Sequence, residues 1–258
     1  MATLRTAALP ESGCPTLWIR PGQAVFLGPA MNLDPHFGSV TCLAIGVDNA
    51  FSVESATSAP EPVRSALIAP RVRHRLRSPG GRMVFCYLDP GSDREQAVRE
   101  RMTAGDHLVS SGHGAEMDLA HAAERLPEDY SISHWLDLAG AEVIWPADPR
   151  IAAAMRRLRD HTNPPLSAGV LAAEAGLSVS RFLHVFREES GTSFRRYRMW
   201  ARMLRAALLY RARRDLTAAA MDAGFASPSH FTDTFHDMFG LAPTQLLGTA
   251  LDIRGLDQ

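Results

Sequence analysis

The chain has 258 residues, 46% of them hydrophobic, enough for a sizeable core and against wholesale disorder. No apolar run reaches the length of a membrane span, no secretory signal is visible at the N-terminus, and the three isolated cysteines fit a reducing cytosol. The formal net charge of −1 hides an asymmetry: residues 148–258 hold 15 Arg against 11 acids, and 181–214 hold ten Arg against two. Every basic residue outside the histidines is Arg, and a cationic stretch in a neutral chain points to a polyanionic partner for that part.

The first 90 residues read as short strands between Pro- and Gly-rich turns, at Thr16–Ile19, Ala24–Leu27, Thr41–Val47, Ser65–Ala69 and Met83–Leu88. Such spacing predicts an antiparallel sandwich or barrel. From Asp93 the pattern turns helical, with helices expected at Arg94–Ala104, Ala115–Arg125 and Ile132–Leu138. Gly105–Gly114 between them reads as a loop. Trp145-Pro146-Ala147-Asp148-Pro149 marks a boundary, with Asp148 as a helix cap and Pro149 in the first turn. Beyond it the chain is expected to be helical throughout: 148–161, 167–175, 178–190, 193–211, 216–223, 227–239 and 243–250.

The most informative feature is a repeat at an offset of 49 residues. Ser178-Val179-Ser180-Arg181-Phe182 aligns with Ser227-Pro228-Ser229-His230-Phe231, Phe186 with Phe235, and Gly191 with Gly240. Upstream, Ala175-Gly176-Leu177 matches Ala223-Gly224-Phe225. The first Gly allows a tight turn, the Ser caps the next helix, the Phe pair packs inward and the last Gly ends the helix. Two helix-turn-helix units follow. At about 100° per residue, Phe182, Val185 and Phe186 face inward, while Ser180, His184 and Arg187 face out. In the second copy Phe231, Thr234 and Phe235 face inward, Ser229, Asp233 and His236 face out, and His230 lies at the flank. The outward positions are where such a helix reads base edges in the major groove of double-stranded DNA.

These residues resemble the AraC/XylS family of bacterial transcription regulators over about 148–250. The resemblance is carried by Ala223 through Phe235, Phe239-Gly240 and Pro243, and by Arg202-Met203-Leu204-Arg205-Ala206 through Leu209. It implies seven helices, with a recognition helix at each end of a long connecting helix and the two entering major-groove segments about 34 Å apart. Asp233 and Asp237 stand where relatives are commonly basic, and Ala219 where the family usually has Ile. The first unit is therefore expected to dominate base readout. Candidate DNA-binding residues are Ser178, Ser180, Arg181, His184, Arg187, Ser227, Ser229, His230, Asp233 and His236, with Arg195, Arg196, Arg202 and Arg205 on the connecting helix.

Ala69-Pro70-Arg71-Val72-Arg73-His74-Arg75-Leu76 and Tyr87-Leu88-Asp89-Pro90 resemble segments of that family's cupin-like effector domains. The expected fold class is α+β, with a cupin-like barrel at 1–92, a helical dimerisation or connecting region at 93–144, and tandem helix-turn-helix units at 145–258. A small-molecule effector held near His36 and His74, a homodimer, and RNA polymerase as a further partner go with that reading. Two alternatives stand beside it: a dimeric regulator gated by a partner protein without an effector, and a cupin enzyme with a helical appendage. The enzyme lacks support, because no metal-ligand spacing, Cys-x-x-Cys, Gly-x-Ser-x-Gly or phosphate-cradling loop is present. No cofactor, catalytic residue or metal ligand is expected, and the location expected is the cytoplasm, at the nucleoid.

Overall fold

The computed structural model describes residues 14–31, 33–56, 60–89, 91–126, 131–141, 148–160 and 166–255. Its first elements are strands β1 (Thr16–Arg20), β2 (Gln23–Pro29), β3 (Thr41–Gly46), β4 (Phe51–Ser55), β5 (Pro62–Val63), β6 (Ser65–Ile68), β7 (His74–Arg77) and β8 (Arg82–Leu88). Then come α1 (Asp93–Glu100), the hairpin β9 (Met102–Gly105) and β10 (Val109–His113), α2 (Glu116–Arg125) and α3 (Ile132–Ala139). The remaining elements are α4 (Pro149–Asp160), α5 (Ala168–Glu174), α6 (Val179–Ser190), α7 (Phe194–Arg213), α8 (Leu216–Asp222), α9 (Pro228–Phe239), α10 (Pro243–Leu247) and β11 (Asp252–Gly255). Among the described residues no helix is long and apolar enough to cross a membrane.

One sheet runs β11-β1-β2-β8-β3-β6-β10-β9, and a smaller one runs β5-β4-β7. Only β11 is paired in parallel among the described ladders; β1 to β10 pair antiparallel. The large sheet buries both faces, so its central strands are apolar at nearly every position rather than at alternate ones. In β8, Val84, Cys86 and Leu88 pack with Leu119, Trp135 and Leu136 of α2 and α3. Met83 and Phe85 point the other way, toward the small sheet and the C-terminal helices. The period of two in side-chain direction makes one strand serve two cores.

Three expectations change. The helix from Arg94 stops at Glu100, and 102–105 is strand β9. Gly105–Gly114 is not a simple loop, because Val109–His113 pairs with β9 on one side and β6 on the other. The Asp106 side chain accepts from the Leu108 and Val109 amides and makes the intervening turn. The C-terminal region is not helical throughout: Asp252–Gly255 leaves α10 extended and pairs with β1, burying Ile253. In both cases pairing with an existing sheet edge supplies the backbone partners that a Gly/Ser-rich or very short segment lacks on its own. Strands β4, β5 and β7 were not among the expected elements. The boundary passage Trp145–Ala147 lies outside the described residues, whereas Asp148 does accept from the Arg150 amide at the start of α4.

Candidate nucleic-acid interface

The two repeat copies form two helix pairs with the same local chemistry. α5 and α8 each end in a turn through a glycine of positive φ, Gly176 at 65° and Gly224 at 89°. The next helix is then capped: Ser178 Oγ accepts from Arg181 N at 3.3 Å, and Ser227 Oγ from His230 N at 3.1 Å. Pro228 occupies the first turn of α9, where its missing N–H costs nothing. Gly191 and Gly240 end α6 and α9 in the left-handed conformation. The 20-residue α7, about 30 Å long at 1.5 Å per residue, joins the pairs and is capped by Ser193.

The pairs differ in what they pack against. Phe182, Val185 and Phe186 meet Ile151, Met155, Leu158, Phe194 and Tyr197 in a core that, among the described residues, is built from α4 to α7 and their connections. Phe231, Met238, Phe225 and Trp200 belong instead to the same core as β1, β2 and β8. Backbone bonds tighten this second contact, with Asp34 N donating to Gly240 O at 2.8 Å and Phe37 N to Asp237 O at 3.1 Å. A side chain at Gly240 would strike the Asp34 carbonyl and the His36 ring.

On α6, Ser180, Arg181, His184 and Arg187 are all exposed, and His184 Nε2 lies 3.2 Å from Glu188. His184 and Arg187 share one surface groove with Ser193, Arg195 and Arg198. Arg198 was missed from sequence, although Arg195, Arg198, Arg202 and Arg205 recur at steps of three and four along one helix stripe. On α9, Ser229 and Asp233 are exposed, while His236 is turned to the Asp34 carboxylate at 3.2 Å. His230 Nδ1 accepts from Ala226 N, and its ring packs on Phe225.

The connecting-helix arginines do not share one environment. Arg195 is exposed, but Arg196 stacks over Phe37 at 5.1 Å, turned to the N-terminal region. Burial and the neighbouring Arg71 and Arg195 charges lower its pKa. Arg202 and Arg205 are half-buried, and burial lowers both; Arg202 runs under the turn glycine Gly224.

His36 and His74 come together as a bridged pair, their rings 4.3 Å apart and their backbones exchanging both hydrogen bonds. Each Nδ1–H donates to a carbonyl, of Asp34 and Val72 respectively. Burial drives His74 down to about 4, with His36 adding to the shift, and burial lowers His36 as well. The pair is thus neutral and committed to local structure. It does not line the apolar cavity that lies between the sheet and the C-terminal helices. Among the described residues no group of three or more His, Cys, Asp or Glu is placed to hold a metal.

The first bundle is pinned to the sheet by Asp89 at the end of β8. Its carboxylate accepts from Arg159 of α4 at 2.6 Å and from the Tyr197 hydroxyl of α7 at 2.8 Å. Burial raises its pKa to about 6 despite the Arg159 charge. Thr192 Oγ1 bonds Ser39 O, and Trp200 Nε1 bonds Gly22 O, across the same boundary.

A family model described as a helix-turn-helix domain matches residues 171–248, the stretch from α5 to the end of α10. The chain is 28% identical over 191 residues to the HTH-type transcriptional regulator GlxA of Rhizobium meliloti (strain 1021), covering 67% of this chain and 57% of that relative. The fold likeness to solved structures is extensive. An apo structure of a ToxT variant from Vibrio cholerae strain SCE256 superposes with a TM-score of 0.59 over 89% of this chain and 98% of that one, at 11% identity. A second ToxT structure from the same strain, wild-type with unsaturated fatty acid bound, gives 0.55 over 93% and 98%, at 10% identity.

Proposed function

We propose that this chain is an AraC-family regulator, a sequence-specific DNA-binding protein whose N-terminal, cupin-like region answers to a small molecule. The observation that carries the proposal is the duplicated cap-and-turn unit, which holds a polar, exposed face on both α6 and α9. In this reading both pairs are helix-turn-helix units, α6 and α9 enter the major groove, and the stretch from 145 onward is the DNA-binding region. Ser180, His184 and Arg187 read bases from α6, with Arg181, Arg195, Arg202 and Arg205 on phosphates. Ser229, Asp233 and His230 contribute from α9. Arg196 and His236 reach DNA only if they leave Phe37 and Asp34. The fatty acid seen in ToxT supports a small-molecule effector here. The segment 93–140 serves as the pairing surface of a homodimer.

The full chain should bind promoter fragments with an affinity that falls steeply with salt. Each phosphate neutralised adds about −0.9 to the slope of log K against log salt. Because Asp233 repels phosphate and can only accept from a base, the first unit dominates readout. His184→Ala should therefore relax sequence preference more than Asp233→Ala, as read by binding to a panel of single-base operator variants. The reverse ranking contradicts that assignment, and salt-independent or absent binding removes the DNA claim.

A further inference from the structure

The cavity between the sheet and the C-terminal helices measures about 110 Å³. Its walls come from both halves of the chain: Phe26 and Phe85 from β2 and β8, Trp200 and Met203 from α7, Phe231 and Phe235 from α9. Among the described residues no charged side chain and no histidine lines it, and the only hydroxyls are those of Tyr87 and Tyr210. The chain contains no lysine, and the described arginines lie outside this lining.

We propose that this cavity binds a neutral, apolar molecule of single-ring size. Three physical points carry the assignment. First, water is a poor occupant, because a buried water needs two to four polar partners and this lining offers at most two hydroxyls. Second, a carboxylate is a worse one, because it would lose its hydration with no cation or amide cluster to replace it. Third, the volume is close to that of an engineered cavity of about 150 Å³ lined by Leu, Ile and Phe, which stays dry and binds benzene. Close-packed interiors keep few voids this large, so a cavity at the junction of two structural units is where an apolar ligand gains most. The Tyr87 hydroxyl makes no hydrogen bond among the described residues and can take one polar substituent on the ring.

The inference rests on the regulator reading for its role as an effector site, but not for the binding itself. The full chain is titrated with toluene and p-cresol, and with octanoate as the anionic control, following Tm and heat of binding. Toluene and p-cresol should raise Tm saturably by about 2 °C or more, and octanoate should not. Ala207→Phe, which places a ring in the cavity, should abolish the toluene response. Ala207→Leu, a smaller intrusion, should weaken it at least tenfold if the larger variant does not fold. The proposal is overturned if toluene and p-cresol leave Tm unchanged, if octanoate shifts it more than they do, or if folded Ala207 variants respond undiminished. Salt-dependent DNA binding of the ligand-free chain is measured beside it. A chain that binds DNA but ignores the neutral rings loses only the cavity assignment. A chain that takes the rings but no DNA keeps that assignment and loses the regulator reading.

Discussion

Replacing Asp89 by alanine should lower the unfolding free energy by about 3–5 kcal/mol, the range for removing one partner of a buried ion pair. Both side chains are largely shielded from water, Asp89 at 12% and Arg159 at 20% exposure. The loss is large because Arg159 stays behind. Its NH1 would keep the Tyr197 hydroxyl at 3.0 Å but no anion, and its Nε already has no partner among the described residues. For a chain of this size the fall in Tm should be on the order of 10 °C. Asp89→Asn keeps an acceptor for Tyr197 and Arg159 and should cost less. The same carboxylate leaves a pH signature. Its pKa in the folded chain is raised by burial to about 6, above the unfolded value near ~3.9. The folded chain therefore holds a proton that the unfolded chain releases between those two values. The contribution of this raised pKa is full below about pH 4 and is lost as pH rises through 6. Subtracting the Asp89→Asn profile from the parent isolates this component from His36, His74 and His113, whose pKa values burial lowers and whose contributions carry the opposite sign. Chemical denaturation from pH 4 to 8 measures it, and a flat difference would show that Asp89 is not the buried acid described.

Phe182→Ala and Phe231→Ala occupy equivalent positions of the repeat, yet they should unfold different parts of the molecule. Each should cost about 3–5 kcal/mol, since each ring is almost wholly buried. Phe182 touches Phe186 and Phe194, inside the bundle that α4 to α7 form for themselves. Its loss should strip hydrogen-exchange protection from 151–197 and leave the sheet protected. Phe231 touches Phe225 and Phe235, in the core that also holds Ile19, Phe26 and Phe85. Its loss should deprotect β1, β2 and β8 together with α8 and α9. Deprotection confined to α8–α10 in the second variant would mean that the shared core is not a cooperative unit.

The local chemistry of the helix pairs was readable without coordinates. Ser178, Ser227, Gly191 and Gly240 act within four residues of their partners, so caps and stops follow from spacing alone. The inward turn of Phe182, Val185 and Phe186 follows from helical periodicity in the same way. Elsewhere the partner was distant. Val109–His113 has no strand pattern of its own and is extended because β6 and β9 offer hydrogen bonds. Arg196 looks like another cation of the α7 stripe until Phe37 is found beneath it. His36 and His74 lie far apart in the chain and say little singly. They become a neutral pair with tilted rings in contact only when β7 and the 33–37 segment meet.

The duplicated turn-and-cap pattern, its helix stops and its exposed α6 face were thus determined by the sequence, because each depends on contacts within one or two helical turns. Tertiary structure decided that the two copies are not equivalent. The first closes its own core, whereas the second shares one with the sheet, clasped by Asp34 and Phe37 and followed by β11. Nothing in the repeat distinguishes these outcomes. Which surface a Phe ring covers depends on what the rest of the chain brings beside it, and the burial of apolar area is indifferent to sequence distance.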